Sequence, residues 1–116
     1  MIDEKALDLG RMIGQSNEYK ALQRAEQSLR DDTEAQGRLE IISRLTREFD
    51  QMMAQGQSPD EARAQEYETT LRDFEASPIG QGYLVARANV DKLMTKVNQS
   101  IAEGIERGAT SSIITL

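Results

Sequence analysis

From Ile2 to Ile105 the apolar residues of this chain recur at steps of three and four, and alternation is almost absent. That spacing places them on one side of an α-helix, whereas a half-buried strand needs a period of two. Ile2, Ala6, Leu9 and Ile13 form a first stripe, and Tyr19, Leu22, Ala25 and Leu29 a second. Leu39, Ile42, Leu45, Phe49 and Met52 follow, then Ala64, Tyr67, Leu71 and Phe74. The last stripe is the longest: Ile79, Tyr83, Ala86, Val90, Leu93 and Val97 alternate steps of four and three, then shift to Ile101 and Ile105. Such a heptad-like run is the pattern of a helix that lies along another helix. The chain is expected to be all-α.

Punctuation between the stripes sets the boundaries. Gly14 to Asn17 ends or bends the first helix, and Ser16 or Asn17 caps the second, with Glu18 in its first turn. Asp31 to Glu34 has capping-box spacing with Asp31 in the cap position, ahead of a helix over 33–55 closed by Gly56. Ser58-Pro59-Asp60-Glu61 reads as a cap, a proline at the first helical position and a glutamate reaching back. Ser77-Pro78 repeats that start, and the helix it opens is expected to run to Arg107 and stop at Gly108. The uncharged tail over 109–116 is set apart from the single helical domain over 1–108, as a flexible or partner-binding segment. Its Ser112 to Leu116 run favours extended backbone.

Length then decides architecture. A helix of about 30 residues spans about 45 Å, but a compact domain of this size has a radius of gyration near 13 Å. An elongated helical hairpin or bundle with long amphipathic helices is expected. Its uncovered apolar seam is most simply closed by a second copy, so the chain is expected to pair as a homodimer. The seam proposed for that contact, with itself or another protein, is Tyr83, Ala86, Val90, Leu93, Val97 and Ile101.

Residue types narrow the chemistry. His, Cys and Trp are absent from all 116 residues. A Ser-His-Asp triad, a thiolate metal site and a cysteine-held iron–sulfur cluster are therefore excluded. Twenty acidic against 14 basic side chains give a net charge of −6, which repels nucleic-acid phosphates and anionic membrane surfaces. No basic leader precedes a long apolar run, and no 18 apolar residues are consecutive, so a cytoplasmic protein is expected.

The remaining clusters have plain readings. Asp31, Asp32 and Glu34 suit a helix start better than a cation site, because no calcium-loop spacing surrounds them. The acidic run from Asp60 to Glu75 reads as a solvated helix face rather than an acid–base pair. Tyr19, Tyr67 and Tyr83 fall on stripes and are expected to pack. No catalytic, cofactor or metal residue is assigned. Arg38, Arg44, Arg47, Lys92 and Lys96 read as ion-paired surface. The alternative is an RNA-binding accessory protein that uses those five as a local basic stripe.

The order and spacing of several segments resemble the YlbF/YheA/YmcA family of small bacterial helical proteins. They are Ser16-Asn17-Glu18-Tyr19-Lys20-Ala21-Leu22, Asp32-Thr33-Glu34-Ala35-Gln36, the Gly56 to Glu61 turn, Ser77-Pro78-Ile79, Tyr83-Leu84, and Val97-Asn98 with Ile101. Together they span about residues 1–107. The resemblance implies an all-α, dimerising hairpin and a regulator rather than an enzyme. It further implies a role in competence, sporulation and biofilm formation, through an assembly tied to ribonuclease Y and mRNA processing. Some relatives carry cysteines associated with an iron–sulfur cluster, and this chain, having none, departs from them there. The expected function is a non-enzymatic adaptor acting through protein–protein contacts.

Overall fold

The computed structural model describes residues 1–114, with side chains described through Thr110. Five helices follow one another: α1 (Ile2–Gly14), α2 (Asn17–Asp31), α3 (Thr33–Ala54), α4 (Glu61–Ala76) and α5 (Pro78–Ile114). No strand occurs among the described residues. Two of the breaks between helices are single extended residues that redirect the chain. Asp32 (φ −107°, ψ 111°) separates α2 from α3, and Ser77 (φ −73°, ψ 146°) separates α4 from α5.

These two elbows lie side by side and hold the core. Leu29 at the end of α2, Ala35 at the start of α3 and Phe74 near the end of α4 are buried together. Leu39, Ile42, Ile79 and Tyr83 pack around them. Beyond the elbows the molecule is two antiparallel helix pairs. α3 and α4 form one limb, held along its length by the edge-to-face rings of Phe49 and Tyr67 (centroids 5.6 Å apart) and an Arg44–Glu66 ion pair at 3.1 Å. In the other limb α5 runs back along α2 and continues beside α1.

The result is long and thin, with extents of 65 × 38 × 21 Å and a radius of gyration of 20.5 Å. A compact domain of about 100 residues would give about 13 Å. Burial is correspondingly sparse: only Leu29, Ala35, Leu45, Phe74 and Ala86 are buried hydrophobics among the described residues.

Local chemistry departs from the sequence reading at three boundaries. Asp32, not Asp31, caps α3, its carboxylate accepting from the Ala35 amide at 2.8 Å; Asp31 accepts from Gln27 instead. Asp60, not Ser58, caps α4, accepting from the Arg63 amide at 2.8 Å. An aspartate caps as well as a serine, so Asp60 starts the helix and leaves Ser58 and Pro59 in the preceding loop. Third, Gly108 does not end α5, which runs on to Ile114. A glycine stops a helix by entering the left-handed region, and Gly56 alone has a positive φ (74°) among the described residues. At Gly56 the stop is complete: the Gln57 amide donates to the Met52 carbonyl and the Gly56 amide to Met53. The extended backbone expected over 112–116 is therefore helix at 112–114, while Thr115 and Leu116 lie outside the described residues.

Two expected boundaries hold. The Ser16 hydroxyl accepts from the Tyr19 amide at 3.1 Å, and Ser77 accepts from the Gly80 amide at 3.0 Å, which starts α5 at Pro78. Tyr19, read as a packed stripe residue, lies at the surface.

Candidate partner interface

The six seam residues divide between two surroundings. Ala86 is buried in the monomer, and Tyr83 packs on the elbow core formed by Leu29, Ala35 and Phe74. Val90, Leu93 and Val97 are half-buried on α5, whose main packing partner is α2. Ile101 keeps 46% of its surface exposed. The heptad-like seam is thus spent on the chain's own α2 over its first half and opens to solvent over its second.

That opening coincides with α1. The helix is amphipathic, yet it has no buried residue, and only Leu9 and Ile13 reach half-burial. Leu9 meets α5 at Val97 and Ile101, and these three line a shallow apolar groove with Ser100 and Lys96 at its rim. Ile105, one turn further along α5, and Ile2, at the outer end of α1, are mostly exposed. α1 thus meets the distal half of α5 only around Leu9, and the two helices form a loosely joined arm whose apolar stripes are largely uncovered. Two helices alone cannot bury both apolar faces, and stable bundles add further helices over such a layer. A contiguous exposed apolar face of this kind marks an interaction surface.

Charge follows the same division. Residues 32–77, the α3–α4 limb, hold 11 acidic and five basic side chains, a net −6. The remaining residues hold nine of each and balance. The whole net charge thus sits on the limb away from the arm. A neutral apolar arm can be buried against a protein at low desolvation penalty, while the acidic limb repels anions.

The other candidate clusters are occupied locally. Asp32 caps a helix, Asp31 is bonded to Gln27, and Glu34 is paired with Arg38 at 3.2 Å. Among the described residues no three carboxylates converge on a point that would suit a metal. Of the proposed basic stripe, Arg38, Arg44 and Arg47 lie on α3 and Lys92 and Lys96 on α5; Arg38 is paired with Glu34 and Arg44 with Glu66. Arg87 donates to the Tyr83 hydroxyl at 3.0 Å. That bond, with the nearby Asp91 carboxylate, raises the pKa of the guanidinium above its ordinary value. No helix among the described residues is long and apolar enough to cross a membrane.

Sequence periodicity found both helices of the arm but not their mutual contact. The signal was present in the registers of Leu9 and Ile101; what it lacked was the fold that brings α1 back onto α5.

No functionally curated protein matches the chain by sequence. Among solved structures, that of Bacillus subtilis RicA in complex with RicF has the same fold, with a TM-score of 0.75 over 93% of this chain and 96% of that chain. The two sequences are 15% identical, so the likeness is one of architecture. A family model described as control of competence regulator ComK, YlbF/YmcA, matches residues 2–106. That span takes in α1 to α4, both elbows and most of α5, and the chain belongs to the YlbF/YmcA family.

Proposed function

We propose that the protein is a non-enzymatic regulatory adaptor that works by docking its α1–α5 arm against protein partners. The observation that carries this reading is the arm itself: two helices on which Ile2, Ile101 and Ile105 are exposed and Leu9, Ile13 and Val97 are no more than half-buried in the monomer. The family's description as a competence regulator supports a regulatory role, and the structural neighbour RicA is described in complex with another protein. The acidic limb supports protein over nucleic acid as the partner.

In finer detail, the reading places the protein in the cytoplasm, pairing with a second copy and serving an assembly linked to ribonuclease Y-dependent mRNA processing, with outputs in competence, sporulation or biofilm formation. The seam residues that serve this contact are Val97 and Ile101, joined by Leu9 and Ile105; Tyr83 and Ala86 support the arm from within the fold.

The test is affinity capture from the native cytoplasm with and without ribonuclease, using the wild type and Ile101→Asp. The reading expects a nuclease-resistant protein partner that the variant loses, because docking would bury an unpaired carboxylate. Capture that vanishes with ribonuclease, or that the variant retains in full, contradicts it.

A further inference from the structure

We propose that α1 is a latch: it opens from α5 and closes on it as one unit, hinged at Gln15 and Ser16, while the rest of the chain stays folded, and docking of a partner holds it closed. The coupling to a partner rests on the arm being the docking surface; the opening does not. Three observations single out α1.

The first is how little ties it down. None of its 13 residues is buried, and the buried hydrophobics Leu29, Ala35, Leu45, Phe74 and Ala86 all lie outside it. Among the described residues no hydrogen bond or ion pair joins residues 1–14 to any residue beyond Ser16; the Arg11–Asp8 pair at 2.6 Å stays within the helix. Its hold on the fold is Leu9 at the groove of Val97 and Ile101, with half-buried Ile13 beside the hinge. An element with so few buried contacts opens at far lower cost than the core.

The second is the weakness of the helix itself. A helix of this length is marginal in water on its own. Met1 gives α1 no side-chain cap, and Gly10 and Gly14 lie within it. Neither glycine has a positive φ, and a methyl group on either would meet nothing within 4 Å. The fold therefore does not require them, unlike Gly56 with its positive φ or Gly80 against Phe74. A glycine inside a helix weakens it by about two- to fivefold relative to alanine. Once off α5, α1 unravels.

The third is the hinge. Ser16 is extended (φ −67°, ψ 153°), and its hydroxyl accepts from the Tyr19 amide, so α2 keeps its own start whether α1 is closed or open. The same hydroxyl donates to the Ile13 carbonyl at 2.6 Å, a tie that lies at the hinge and not across the arm. Opening thus breaks no bond on which α2 to α5 depend, and it bares Val97 and Ile101. A partner seated across Leu9 and Ile101 needs the closed form, so its apparent affinity scales with the closed fraction.

Amide hydrogen exchange of the full chain, resolved by helix, tests the latch. The amides from Ala6 to Gly14 should exchange at least about tenfold faster than those in the middle of α2 and α5. Gly10→Ala fits without contact and should slow exchange in α1 alone, by about two- to fivefold. Gly82→Ala, at an exposed and equally unobstructed site in α5, should leave α1 unchanged. Amides of α1 as protected as those of α2, or a Gly10→Ala effect spread evenly over all helices, would overturn the latch, because α1 would then open only with the whole fold. Self-association read by sedimentation tests the coupling, and Gly10→Ala should tighten it by up to the same factor. Slowed exchange with association unchanged would overturn the coupling and keep the opening. A chain that stays single at every concentration would count against the arm as a docking surface, and the exchange result would still decide the latch.

Discussion

Gly80 lies directly against the backbone carbonyl of Phe74, with no room for a methyl group between them. The contact closes the elbow between α4 and α5. The Ser77 hydroxyl donates to that same carbonyl at 2.7 Å and accepts from the Gly80 amide at 3.0 Å, so three residues lock one sharp turn. Phe74, whose carbonyl is involved, also supplies the buried ring of the elbow core. The turn that aims α5 down the long limb is thereby fixed by backbone, cap and core together.

Gly80→Ala is accordingly expected to destabilise the protein by about 1–3 kcal/mol, the usual range for forcing extra atoms into a packed site. Thermal unfolding followed by circular dichroism measures it. An unchanged melting temperature would show that the elbow has slack the contact does not suggest.

Sequence spacing revealed the number of helices, the Ser16 and Ser77 caps and the Gly56 stop, because each depends on residues within a few positions of one another. Which face of α5 looks inward depends on residues far apart in the chain. Tyr83 and Val97 sit on the same heptad-like stripe, yet Tyr83 packs on Phe74 while Val97 lines an open groove with Leu9. The elbows at Asp32 and Ser77, with the break between α1 and α2 at Gln15 and Ser16, decide that difference. Gly108 misled for the opposite reason. A glycine permits a helix stop without enforcing one, and α5 continues through it with Thr110 donating back to the Glu106 carbonyl at 2.9 Å.

The two candidate caps of α4 separate cleanly by mutation. Asp60→Ala removes the acceptor of the Arg63 amide and should cost about 0.5–2 kcal/mol of stability. Ser58→Ala removes no cap bond to α4 and should fall within about 0.5 kcal/mol of wild type. Denaturant melts of both variants check the pair, and a larger loss in Ser58→Ala would restore Ser58 as the cap.

Leu45, 1% exposed, is the largest fully buried side chain among the described residues. Leu45→Ala should lower stability by about 2–5 kcal/mol, through lost burial and the cavity left behind. With so few buried residues to share the loss, partial unfolding near room temperature is the expected outcome. A cooperative melt at the wild-type midpoint would contradict this account of the core.

Leu93→Asp is a poor probe of partner binding, because Leu93 is half-buried within the chain's own packing. Fold and interface would fail together. Ile105→Asp, at a position 68% exposed on the arm, should leave monomer stability within about 0.5 kcal/mol while weakening association at least tenfold. Sedimentation across a concentration series reads the second quantity, and a melt under dissociating dilution reads the first. Unchanged association would remove Ile105 from the interface.

The central claim is that the arm, and not the acidic limb, carries the contacts between molecules. Its most direct measurement is the light-scattering mass of the wild type beside Ile101→Asp on the arm and Met53→Asp on the α3–α4 limb, both at exposed apolar positions. The account predicts a two-chain mass for the wild type and Met53→Asp, and a single-chain mass with unchanged helical content for Ile101→Asp. A two-chain Ile101→Asp beside a single-chain Met53→Asp would move the interface to the other limb and contradict it.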